Sequence, residues 1–452
     1  MFPNPQDALP LPARPSLEQY RKLAKELVAA SRSSDPGAVA AWSRRWIERL
    51  AETQPPPGQR PFRREHIEDT IYEVEQYVRR KLAPEPGREA GTLADAQHVL
   101  ARSHGFDNWA ELARHFEALA ARGTEVSDFE TAADAIVSGD IDTLRRLLRD
   151  NPTLVRARST REHNGTLLTY VSANGVEGYR QRTPKNIVAI TQLLLEAGAE
   201  VDAEADVYGG GCTPLGLTAT SAHPRGAGVQ LELMQLLLDH GARIEDPPTA
   251  GNRHSAVMSC IANGCPEAAG YFADRGARLD LECAAAIGRL AAVQSYFDAG
   301  GTLTNGATSE QRNAALRWAA AGGYDDVVEY LLAHGADIAA GDGDKQTPLH
   351  WAVMCASVDT MKLLIARGAP LEAHNVYGGT PFGQALWCAA HNHNADDFIP
   401  VVETLVAAGA RFGDRHPPTN DRMDALLERH GSATDWSWAW FGERPRLKPG
   451  NR

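Results

Sequence analysis

An all-α fold, a solenoid of β-turn/helix-turn-helix units preceded by a small helical bundle, is what three features of the sequence predict. The hexapeptide Thr347-Pro348-Leu349-His350-Trp351-Ala352 is followed, one repeat on, by a second Thr-Pro, Thr380-Pro381. A terminal pattern, Leu-Leu-x-x-Gly-Ala, recurs as Leu194-Leu195 before Gly198-Ala199, Leu237-Leu238 before Gly241-Ala242, and Leu331-Leu332 before Gly335-Ala336. The first quarter of the chain carries helical periodicity without either pattern.

In that quarter, Pro10, Pro12 and Pro15 form a leader, and Ser16 is placed to cap a helix with Leu17, Tyr20, Leu23, Ala24 and Leu27 on one face. A second helix is expected from about Asp35-Pro36 through Val39, Trp42, Trp46, Ile47 and Leu50. The breaker Pro55-Pro56-Pro57-Gly58 separates it from a third with Ile67, Ile71, Val74 and Val78. Two more run from Leu93 to Arg102 and from Asn108 to Ala121, joined by Ser103-His104-Gly105-Phe106-Asp107. These helices make a bundle over residues 1–125.

The array is expected over 126–431. Each position of the hexapeptide has a physical reason. Thr347 caps the first helix, and Pro348 sits at its first turn, where no donor is needed. Leu349 and Ala352 share one face, large then small, so that a neighbouring helix can approach. His350 is expected to bridge its turn to the next one. The second helix runs through Met361, Leu363, Leu364 and Ile365 and stops at Gly368, a left-handed cap. Degenerate stops are Tyr271-Phe272 with Gly276-Ala277 and Tyr296-Phe297 with Gly300, and Leu405-Val406 precedes Gly409-Ala410. The glycine spacings of 43, 35, 24, 35, 33 and 41 mark insertions where long and a truncated unit where short. Ala132 to Asn151 reads as an N-terminal cap, and Met423 to Gly431 as a closing helix that shields the open end. A tail, 432–452, carries Trp436, Trp438, Trp440 and Phe441.

Three segments depart from the repeat. An insertion from Val176 to Asn186 places Tyr179, Arg180, Arg182 and Lys185 on an exposed finger, either a binding hot spot or a solvated loop. Asp206-Val207-Tyr208-Gly209-Gly210-Gly211-Cys212 precedes Thr213-Pro214 and is followed by an insertion with His223 and Arg225. Asn375-Val376-Tyr377-Gly378-Gly379 repeats the Val-Tyr-Gly-Gly wording. It reads as a turn in which glycines take positive φ and the tyrosine packs on the adjacent finger. His391 and His393 with Asp396, Asp397 and Cys388 supply ligand types but no standard zinc spacing, so no metal is expected.

Composition narrows the setting. Of 452 residues, 43% are hydrophobic and 23% charged, and no apolar run approaches the roughly 18 residues of a membrane helix. No membrane association is expected. The N-terminus offers no signal peptide, and six scattered cysteines fit a reducing cytoplasm. The net charge of −12 lies wholly beyond residue 126, because residues 1–126 carry 18 basic and 18 acidic side chains. Such an acidic array repels phosphate, so no nucleic acid is expected, and a protein partner is favoured. There is no G-x-S-x-G, P-loop, dinucleotide fingerprint or H-E-x-x-H, so no catalytic residue, no cofactor and no enzyme are predicted.

On these motifs, residues 127–431 resemble the ankyrin-repeat family, and most strongly so at 313–413. The opening segments Pro15-Ser16-Leu17-Glu18-Gln19 and Ala94-Asp95-Ala96-Gln97 to Trp109 resemble the helical leader before ankyrin repeats in some bacterial proteins. The resemblance implies that partners lie against a concave face of fingers and first helices. Carried onto Thr347 and Thr380, it assigns contact positions to Gly343, Asp344, Gln346, Met354 and Cys355, then to Val376, Tyr377, Gly379, Trp387 and Cys388. Ser255 to Met258 and Leu281 to Gln294 depart from consensus, and imperfect stacking is expected there. The function that follows is a protein-interaction scaffold. The alternative is a small-molecule-binding or enzymatic protein using a pocket between inserted loops near Tyr179, Arg180, Tyr208, His223 and Arg225.

Overall fold

The computed structural model describes residues 5–12, 15–52, 67–83, 91–121, 123–245, 255–391, 395–416 and 418–434. The breaker at Pro55 to Gly58, His393 and the tail aromatics Trp436, Trp438, Trp440 and Phe441 lie outside these residues. The chain divides into two compact units, Met1–Ala277 and Arg278–Arg452.

The first unit opens with five helices whose starts follow from local chemistry: α1 (Leu17–Ser31), α2 (Ala38–Glu52), α3 (Ile67–Lys81), α4 (Leu93–Ser103) and α5 (Trp109–Ala120). The Ser16 hydroxyl accepts from Gln19 N, Thr92 and Asp95 form a reciprocal capping box, and Asn108 accepts from Glu111 N. Their apolar faces close one core through Tyr20, Leu27, Trp42, Trp46, Val74, Leu100 and Phe116. Next comes the pair α6 (Glu125–Ser138) and α7 (Ile141–Asp150), turned at Gly139 with φ 86°.

Further helix pairs follow in the same unit. A 3-10 turn at Leu167–Ser172 takes the place of a first helix ahead of α8 (Ile187–Glu196). Then come α9 (Pro214–Ala219), α10 (Ala222–Gly226), α11 (Gln230–Asp239), α12 (Ala256–Ala262) and α13 (Pro266–Asp274). The α12 and α13 pair is regular despite its non-consensus start. Ser255 stands in for the missing Thr-Pro, its hydroxyl accepting from Met258 N at 3.1 Å.

The second unit holds α14 (Leu281–Ala286), α15 (Leu290–Gln294), α16 (Ser309–Gly322), α17 (Asp325–Ala333), α18 (Pro348–Met354), α19 (Val358–Ala366), α20 (Pro381–His391), α21 (Ile399–Ala407) and α22 (Asp421–Arg429). A two-residue parallel bridge joins β1 (Arg415–His416) to β2 (Ala433–Thr434) beside α22. Helices α14 and α15 have six and five residues, which is the truncated unit that the short glycine spacing predicts. Its stop is Gly301 at φ 80°, one residue beyond the expected Gly300. The Asp298 carboxylate accepts from Gly300 N and Thr302 N and carries the turn forward by that residue.

Small residues on first helices and large ones on second helices build the layers: Ala315, Ala319, Ala352 and Ala385 against Val328, Leu331, Leu364, Val402 and Leu405, all fully buried. Each large side chain contributes about 1.5–3 kcal/mol through burial. Most second helices then end at a left-handed glycine. At Gly368, φ 85°, Gly368 N donates to Ile365 O and Ala369 N to Leu364 O, which satisfies carbonyls that would otherwise be unpaired.

Candidate partner-binding surface

The surface is assembled from two fingers and three first helices of the second unit. In the first finger the Asp342 Oδ1 atom accepts from Asp344 N and Gln346 N, both at 2.9 Å, while Lys345 N donates to Asp342 O. Lys345 has φ 57°, and a side chain at Gly341 would meet Lys345 Cα at 2.7 Å, so this turn admits little but glycine there. In the second finger Asn375, the counterpart of Asp342 one repeat on, reproduces the arrangement: its Oδ1 accepts from Tyr377 N and Gly379 N. Gly378 at φ 79° stands where Lys345 stood. Val376 N donates to Asp344 O at 2.9 Å and ties finger to finger.

Each finger is fixed to its helix. The Trp351 indole donates to Asp342 Oδ2 at 3.0 Å. Thr347 and His350 form a capping box, and His350 Nε2 reaches Gly379 O at 3.2 Å, so the histidine bridges consecutive turns as the hexapeptide predicts. Burial pushes the His350 imidazole below its ordinary value, with the Gly379 carbonyl opposing, which fits a neutral ring serving as a hydrogen-bond joint.

On this scaffold Tyr377 is 78% exposed, Trp387 51% and Val376 49%. These three are the large apolar side chains that the second unit exposes among the described residues. Gly343 and Asp344 are exposed, and Gln346 and Met354 are half-buried. Trp387 stacks on His391 at 4.5 Å with 20° between the rings, and His391 Nδ1 is bonded to Trp387 O. One row inward, Trp318 lies 5.0 Å from Trp351. These two tryptophans hold the same position in successive first helices, and the motif reading, anchored on Thr-Pro, passes over them. Arg317 beside them donates to Ala340 O and Gly341 O. Burial lowers its pKa, against the opposing fields of Asp342, Glu282 and Glu310.

The Val-Tyr-Gly-Gly reading divides. Tyr208 takes φ 53° and is 63% exposed, but its hydroxyl is tied to Asn174 Oδ1 at 2.7 Å and to the Gln6 amide of its own unit. Tyr377 does not. It projects into solvent instead of onto the neighbouring finger.

Of the 176–186 insertion only Lys185 is exposed, and Arg182 is half-buried. Residues 178–180 form a 3-10 turn that folds inward, leaving Tyr179 half-buried and Arg180 only 1% exposed. Arg180 pairs with Glu130 and Asp134 at 2.8 Å, and Glu177 lies 3.6 Å away. Arg161 joins the cluster through Glu130 at 3.0 Å and through Glu177, and donates to His104 O. The reason is electrostatic: a buried carboxylate demands a cation, and α6 carries Glu130 on its packed face. Burial alone would raise Glu130 and Glu177, but Arg161 and Arg180 outweigh it and hold both below the ordinary carboxylate value. A partner has no access to Arg180. The pocket reading loses it as a free cation, whereas Arg225 is exposed, with its guanidinium 3.8 Å from Cys265 Sγ.

His391, Asp396 and Cys388 do not converge as ligands. Asp396 bonds Asn420 and Arg422, and Cys388 accepts from Gln384. Among the described residues no group of three metal-binding side chains occurs, and no helix is long and apolar enough to cross a membrane.

With this geometry in view, comparison with known proteins finds the family model "Ankyrin repeats (3 copies)" matching residues 281–375 and 316–416. No curated protein matches. Among solved structures, the crystal structure of the human ASB11 ankyrin repeat domain is similar at 20% identity and a TM-score of 0.34, over 62% of this chain and 99% of that one. Residues 281–416 therefore carry ankyrin repeats in an all-α fold, and repeats of this kind typically mediate protein–protein interaction.

Proposed function

We propose that this protein is a non-catalytic, cytoplasmic interaction scaffold that binds a protein partner through the fingers and first helices of the second unit. The carrying observation is the exposure of Tyr377, Trp387 and Val376, with the backbone of the Val376–Tyr377 finger hydrogen-bonded in place and Trp387 stacked on His391. Exposed aromatic side chains are among the residue types that dominate interface energetics. Gly343, Asp344, Gln346 and Met354 complete the contact set. On the same reading the helical segment 1–125 is a second docking module ahead of a repeat array, 126–431, and the tail 432–452.

The experiment is a quantitative affinity capture with the full chain and with Tyr377→Ala plus Trp387→Ala. Loss of the two side chains should weaken capture of genuine partners by about 2 kcal/mol or more per hot-spot residue. Helical content should be unchanged, since neither side chain is in the core. Partners that remain bound to the double variant at undiminished levels would rule this surface out.

A further inference from the structure

The fingers and first helices of the second unit carry carboxylates that few cations answer, and Asp344 is bonded through its backbone carbonyl to Val376 N beside Tyr377. Residues 278–416 contain sixteen acidic and nine basic side chains. Arg317 is engaged by the backbone carbonyls of the first finger, Arg312 by His334 O, and Lys362 and Arg367 by Asp359 and Glu329 on second helices. Along the fingers and first helices stand Asp344, exposed and with no side-chain partner among the described residues, Glu310, also exposed, and the half-buried Glu282. Lys345 is the one exposed cation on the first finger. Burial first, then Asp280 and Glu310, raises the pKa of Glu282 in spite of Arg317, so negative charge is crowded where α14 meets α16.

Aromatic faces next to unneutralised carboxylates suit one kind of side chain, a cation on an apolar stem. An arginine or lysine lays its methylenes and charge over Trp387, Tyr377 or the Trp318 and Trp351 pair, and its terminal donors reach the acids. We infer that the partner presents an extended basic segment to this surface, arginine or lysine alternating with apolar residues, the cations meeting Asp344, Glu310 and Glu282 and an apolar side chain covering Val376 and Met354. The inference rests on the reading of this face as the binding surface.

The test uses the full chain and three fluorescein-labelled twelve-residue peptides of one pattern, bearing arginine, glutamate or glutamine at alternate positions, read by anisotropy. The arginine peptide should bind, and its affinity should fall about tenfold or more as salt rises from low to high concentration. Asp344→Asn with Glu310→Gln should cost about tenfold. Asp359→Asn with Glu329→Gln, on the second helices, should cost nothing. Failure of the arginine peptide to bind, or equal binding by the glutamate or glutamine peptide, overturns the basic chemistry. The surface itself still stands if that other binding disappears with Tyr377→Ala plus Trp387→Ala. Arginine-peptide binding indifferent to that double variant would be general attraction to an acidic chain, and would overturn both.

Discussion

In the first unit Arg161 and Arg180 are 4% and 1% exposed among Glu130, Asp134 and Glu177, and His104 and His115 are buried beside them. In the second, among the described residues, the buried polar groups are uncharged or histidine: Thr347, His350, Thr360, Asn375, His416, Thr419 and Ser432. One unit places ion pairs inside, and the other stacks alanine against leucine and valine and closes each layer with local caps. Regular repeats need only short-range rules, because each layer buries the next. Where the repeat is interrupted by the 176–186 insertion, those rules give out, and a specific charged network fixes the chain instead. Such a network is intolerant of partial loss.

The largest expected effect tests that contrast directly. Arg180→Met leaves Glu130, Asp134 and Glu177 facing a single guanidinium and should destabilise the first unit by about 3–5 kcal/mol. Native-state hydrogen exchange on the full chain should show protection falling across residues 125–180 while residues 309–391 keep theirs. Equal loss in both would break the comparison.

Acidification is expected to act next. Burial lowers His104 to about 3 and His115 to about 4, Glu130 opposing in the latter case, from an ordinary 6.5. The unfolded chain thus takes up protons that the folded chain refuses. Stability is full above pH 6.5 and is lost as pH falls toward about 4 for His115 and about 3 for His104. At about 1.4 kcal/mol per pH unit for each group, the two histidines together cost the first unit roughly 4 kcal/mol by pH 5. Glu130 and Glu177, held low by the arginines, add their loss only below the ordinary carboxylate range. Denaturant titrations at pH 7.5 and pH 5, read by exchange in each unit, should show the first weakening more, since among the described residues of the second His350 is the histidine lowered by burial. The smallest effect is Thr347→Ala, about 1 kcal/mol for a lost cap, confined by the same measurement to α18 and its neighbours.

Much of this fold is legible in the sequence because helix starts and stops are local. Ser16, Thr92, Asn108 and Thr347 cap their helices, and the left-handed glycines end second helices at 198, 241, 335, 368 and 409. The exposure of Tyr377 and Trp387 is legible only through the repeat register, which places finger and first-helix positions on one face. The inward fold of Arg180 is not legible, because a polar insertion has no periodicity to say which way it turns. The available signal lies far upstream at Glu130, an acid between Phe129 and the small residues Ala132 and Ala133 on the packed face of α6. A buried acid asks for a distant base, and sequence spacing does not name it.

Arg161 and its neighbours also determine where this chain cannot be divided without loss. Arg161 donates to His104 O, Glu162 N donates to Gly105 O, Arg102 pairs with Glu162 at 2.9 Å, and His115 bonds Thr160 at 2.9 Å. Four bonds thus sew the loop after α4, with α5, to the segment that opens the repeats. A recombination joint near residue 125 would separate donors from acceptors that are needed on both sides. The five-helix bundle and residues 160–162 therefore depend on each other for their bonding, whereas each layer around Thr347 carries its own caps.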